Sequence, residues 1–107
     1  MADSAAVDDA DRELHRVVDR LRAMPLTRLS GAWADFPSLA SGARALAQEL
    51  ADRGADAAGV DRHVVPDVGD AAVGDQIAVT GRDYIALASG ADLTWMSERL
   101  REFRLSV

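Results

Sequence analysis

The chain has no cysteine among its 107 residues. That one absence removes disulfides, thiolate metal sites and cysteine nucleophiles together, and it fits a reducing compartment. Lysine is missing as well: all 12 basic residues are arginine, beside 21 alanines and 14 aspartates, a bias that high-GC coding produces before function does. Positive charge is in deficit, since 18 acidic residues leave a formal charge of -6. Such a chain repels phosphate backbones unless its arginines gather on one face, so nucleic acid is not an expected partner. No window approaches the roughly 18 apolar residues of a membrane span. Met1 to Asp11 also lacks the basic head and apolar run of a signal peptide. Together these point to a cytoplasmic protein without a membrane partner.

Catalytic signatures are absent too. No Ser-His-Asp set with a nucleophile elbow, no phosphate-binding glycine loop and no His-x-x-x-His pair can be assembled. The expectation is a non-enzymatic protein without a cofactor.

What the chain does carry is periodicity. Apolar residues recur three and four positions apart in four stretches: Val7 to Met24, Leu39 to Leu50, Val73 to Leu87, and Leu93 to Phe103. This spacing keeps side chains on one stripe of an α-helix. The spacing predicts helices over about 5–24, 38–53, 68–88 and 92–105. Asp3 and Ser4 are candidate caps for the first and Pro25 its terminator; Gly54 is the candidate C′ glycine of the second. Asp67 with Asp70 offers a capping box for the third, and Asp92 a cap for the fourth. A rival reading of residues 77–85 is a short hairpin around Thr80-Gly81-Arg82-Asp83.

Between the first two stretches, Leu26, Leu29, Trp33 and Phe36 suit a short extra helix or an aromatic lid near residues 26–36. The expected fold is therefore all-α: an up-and-down bundle of four main helices in a single domain spanning residues 1–107. The expected core is Leu14, Val17, Leu21, Leu29, Trp33, Phe36, Leu39, Leu46, Leu50, Ile77, Tyr84, Leu87, Met96, Leu100 and Phe103. Arg44, Gln48 and Glu49 are placed on the outer face of the second helix, with Glu49 paired to Arg53.

Residues 54–69 mix small residues, aspartates and valines, and suit an extended segment laid across the bundle. Within it Asp61, His63 and Asp67 are the candidate metal ligands, one imidazole with two carboxylates, although their spacing matches no established ligand pattern. Arg12, Arg16 and Arg20 recur every four residues as a basic stripe on the first helix, a candidate docking surface. Val18, Val79, Ile85 and Trp95 lie off the main stripes, and Ala40, Ala43 and Ala47 permit close helix approach. Apolar surplus of this kind points to an interface, with self-association as a homodimer or binding to another protein as the expected role. The alternative is a small-molecule or divalent-metal binder using the acidic loop 54–70.

The strings Val65-Pro66-Asp67-Val68-Gly69-Asp70 and Asp75-Gln76-Ile77-Ala78-Val79-Thr80-Gly81 resemble stretches of short uncharacterised proteins of high-GC, actinobacterial type. The resemblance covers a small part of the chain. It implies an all-helical fold and carries over no functional residue.

Overall fold

The computed structural model describes residues 4–107, and the capping role expected of Asp3 lies outside them. Helix α1 (Ser4–Arg22), the single turn α2 (Leu26–Leu29), α3 (Leu39–Ala58), α4 (Val73–Leu87) and α5 (Gly90–Ser106) follow in order, with a 3-10 turn at Asp70–Ala72 before α4. The protein is an all-α bundle of four main helices with a short extra helix in the expected place. Residues 77–85 are continuous helix, which disposes of the hairpin reading.

Helix α1 lies against both α4 and α5, and α3 packs along α4. Because α1 has neighbours on two sides, its buried face is wider than one stripe: Val18 is buried together with Leu14, Val17 and Leu21, so it is core and not surplus. The close approach of α1 to α4 is made at glycines. A Cβ on Gly81 would stand 2.5 Å from Cδ1 of Leu14, and one on Gly74 would stand 3.3 Å from Cγ of Arg22. The alanines expected to serve an interface, Ala40, Ala43 and Ala47, are fully buried in the core of the bundle and unavailable to a partner.

The aromatic lid forms as expected in kind, with one correction. Trp33 and Phe36 pair their backbones through a tight turn and stack at 5.8 Å between ring centroids, and Trp33 meets Phe103 edge-on at 5.3 Å. The indole Nε1 donates to the carbonyl of Ser106 at 3.2 Å, tying the lid to the end of α5. Gly42 makes room for it: a Cβ there would sit 2.5 Å from the Trp33 ring. Phe36 covers the outside of this stack and remains exposed, so it is not core. Leu87 is half exposed near the end of α4 and also leaves the core; Val73 and Leu93 join it.

Helix ends depart from expectation for local reasons. Gly54 is an interior residue of α3, which continues to Ala58 and is closed by Gly59 in the left-handed region at φ 67°. Asp67 does not cap α4; its carboxylate accepts from the N–H of Gly69 at 3.0 Å, a local turn ahead of the 3-10 entry. Ser89, not Asp92, caps α5, and Asp92 answers it as the far side of a capping box. Ser38 and Ser41 form the equivalent box at the start of α3.

Candidate functional site: a pinned strap and its two grooves

Residues 59–69 form an extended strap across α3 and α4, and polar side chains of those helices hold its backbone. Gln48 grips it on both sides, donating to the His63 carbonyl at 2.8 Å and accepting from the Val65 N–H at 2.7 Å. Gln76 of α4 donates to the Pro66 carbonyl at 2.6 Å, and Arg44 of α3 reaches Asp67 at 3.1 Å. Near the α3 end, Arg62 pairs with Asp56 at 2.7 Å, which holds the Asp56 carboxyl below the usual carboxylate range. Arg44 and Gln48 therefore face the strap and not open solvent. Glu49 reaches Arg99 of α5 at 3.3 Å, while Arg53 lies 3.5 Å over the Trp95 ring, so the expected pairing of these two residues is replaced by two contacts to α5.

Two shallow apolar grooves flank the strap and share Ala51, His63 and Thr80. The first, about 450 Å³, lies between the C-terminal halves of α3 and α4, with Leu50, Gly54, Ala55, Ala58, Val60 and Leu87 along it and Asp61, His63 and Asp83 among its polar lining. The second, about 420 Å³, runs between the strap and the start of α4 over Val64, Val65, Pro66, Val68, Ala72 and Val79. Its edge is almost unprotected from water: Val64 is 85% exposed, Val68 63% and Val79 59%. Its one carboxylate, Asp75, is taken by Nε of Arg22 at 2.9 Å.

The candidate metal ligands do not converge. Asp61 and His63 line the first groove, whereas Asp67 is paired to Arg44 and lines neither groove. Among the described residues no group of three or more His, Cys, Asp or Glu is placed to hold a metal ion.

The basic stripe is engaged within the chain. Arg12 pairs with Asp9 at 3.4 Å, Arg16 with Glu13 at 3.0 Å, and Arg20 binds the Val107 carbonyl with Nε at 3.1 Å. Glu13 is the centre of this region: buried on α1, it also meets Arg104 at 3.1 Å and Arg101 at 3.5 Å from α5. Burial pushes its carboxyl upward, but the Arg104 hydrogen bond and the charges of Arg104, Arg16 and Arg101 outweigh that and hold it below the usual range. This clasp joins α1 to α5. Of the apolar candidates, Val79 stands in the second groove, while Ile85 and Trp95 pack partly against the core, Trp95 edge-on to Tyr84 at 6.0 Å.

The strap valines and the polar side chains that pin them were missed as a unit by sequence reasoning. The signal available was the i,i+4 spacing of Arg44 and Gln48 opposite a valine-rich irregular segment.

The fold and the pinned strap place the chain in the broad class of small all-α bundles with an exposed apolar face. No family model, curated protein or solved structure matches the chain. No described helix is long and apolar enough to cross a membrane.

Proposed function

We propose that the protein is a non-enzymatic interaction module that self-associates as a homodimer through the strap and the outer face of α4. The observation that carries this reading is the row Val64, Val68 and Val79, largely exposed along one apolar groove. Leaving such side chains in water forfeits about 25 cal/mol per Å² of the apolar surface that an interface would cover.

Two features support a second copy as the occupant. The groove is charge-neutral, because Asp75 is already paired to Arg22, so two copies can face each other across a two-fold axis without juxtaposing carboxylates. That matters for a chain of net charge -6, whose copies repel one another on average. The strap is also held in place by Gln48, Gln76 and Arg44 before any partner arrives, which lowers the ordering cost of association.

Sedimentation velocity from low micromolar to near-millimolar protein tests the proposal. A dimer in the wild type that becomes a monomer in Val79→Asp, with an unchanged helical spectrum, is the expected result. A monomer throughout refutes it, as does a dimer that the substitution leaves intact.

A further inference from the structure

The first groove differs from the second in its charge, and that difference selects another occupant. We propose that the groove between the C-terminal halves of α3 and α4 docks a basic amphipathic helix of a partner protein. Its apolar side would rest on Val60, Leu87 and the small residues of α3, and its Lys or Arg side chains would reach Asp61 and Asp83.

Charge complementarity carries the choice. Asp61 and Asp83 line this groove, and neither has an ion pair or hydrogen bond to its side chain among the described residues. The chain has little of its own to offer them. Arg12, Arg16, Arg22, Arg44, Arg62, Arg99, Arg101 and Arg104 are all in ion pairs. Arg20 is bound to Val107 and Arg53 to Trp95, which leaves Arg28 and Arg82 as the two arginines of the 12 without such a partner among the described residues, and neither lines this groove. A second copy pairing groove to groove would set carboxylates against carboxylates, and Arg28 and Arg82, on two different helices, form no basic row to offer instead, so the cations come from a different molecule.

Backbone chemistry selects a helix. Residues Leu50 to Ala58 of α3 run along the groove for about 12 Å at 1.5 Å per residue, enough for anchors one and two turns apart. The wall is built from Ala51, Gly54, Ala55 and Ala58, which let another helix come close. Against the α3 and α4 walls an extended peptide would leave N–H and C=O groups unpaired, because the helices use their own backbone groups internally. A helix satisfies its own.

Gly54 supplies the test. It is buried, it lines the groove, and a Cβ built on it meets nothing within 4 Å, so Gly54→Leu fills the groove from inside while favouring the helix. The probe is a fluorescein-labelled designed peptide of about 18 residues, some five helical turns. It carries leucines at helical spacing flanked by arginines; a control peptide has glutamates in place of the arginines.

Anisotropy titrations are expected to show binding of the basic peptide alone. Affinity should fall about tenfold in the Asp61→Asn/Asp83→Asn double variant, the effect of two exposed ion pairs. Gly54→Leu should abolish binding. Val79→Asp, which removes the dimer face, should leave it unchanged, so this inference and the dimer stand or fall separately. Failure of the basic peptide to bind overturns the inference. So does equal binding of the acidic peptide, or binding that neither Gly54→Leu nor the aspartate double variant weakens. Should Gly54→Leu not fold, the double variant at two exposed positions decides alone.

Discussion

Three glycines inside helices should respond in opposite directions to the same added methyl group. Gly to Ala in a helix interior is worth about 1 kcal/mol of propensity. At Gly54 nothing stands within 4 Å of the new Cβ, so Gly54→Ala should stabilise by about that amount. At Gly42 the Cβ would lie 2.5 Å from two ring atoms of Trp33 and 3.2 Å from Phe36. The indole is poorly placed to yield, being stacked on Phe36, edge-on to Phe103 and hydrogen-bonded to the Ser106 carbonyl. Overpacking of this kind costs about 1–3 kcal/mol, so after the propensity gain Gly42→Ala should be destabilising by up to about 2 kcal/mol. Gly81→Ala meets the Leu14 methyls at 2.5 and 2.9 Å inside the core and should also lose stability. Urea unfolding followed by circular dichroism gives all three values. The propensity gain is common to both, so the gap between Gly54→Ala and Gly42→Ala should equal the overpacking cost alone, about 1–3 kcal/mol. If Gly42→Ala proved as stable as Gly54→Ala, the lid would not be seated on α3 as described.

Further outcomes follow from the clasp, the core and the turn. Glu13→Gln leaves Arg16, Arg101 and Arg104 without their shared carboxylate and should cost about 1–3 kcal/mol, less than a sealed ion pair because the guanidiniums can turn to water. Since the folded protein lowers the Glu13 pKa from its ordinary 4.5, the clasp's stabilisation is fully present above that pH and is lost as the pH falls through the lower folded value. Melts of wild type and Glu13→Gln should therefore converge in acid; a gap that persists there would contradict the clasp. Leu46→Asp or Ile77→Asp places a charge at a position with no exposure and should abolish cooperative unfolding by calorimetry. Ala34 holds φ 49° in the turn before Phe36, so Ala34→Gly should raise the melting midpoint, by about 1 kcal/mol in stability terms; an unchanged or lower midpoint would mean the turn carries no strain.

Helix positions were legible in the sequence because the three-four stripe depends only on spacing, and α1, α3, α4 and α5 follow it within a few residues except at the end of α3 and the start of α4. Those ends were misread where a residue type has two uses. Gly54 looked like a terminator, but the left-handed closing position is Gly59, and Gly54 instead forms part of a groove wall. Asp67 looked like a cap and makes a local turn. Val18 and Leu87 exchanged places for a tertiary reason: α1 is covered on two sides, while the end of α4 opens onto a groove.

The candidate site was legible only in fragments. Val79 stands off the helical stripe in the sequence and lies in a groove, but its companions Val64 and Val68 sit in a segment without period, fixed by Gln48 and Gln76 from two different helices. No local pattern announces a glutamine that grips a strap some 15 residues away. The arginine stripe was visible for the same reason the helices were. Its engagement by Asp9, Glu13 and Val107 depends on how α1 meets α5, which spacing does not reveal.

Self-association through the valine face is tested most directly by the mass of the protein in solution. Light scattering of wild type and Val79→Asp across the same concentration series should give twice the chain mass of 11.4 kDa for the first and the chain mass for the second. A wild type that holds the mass of one chain at every concentration would contradict it.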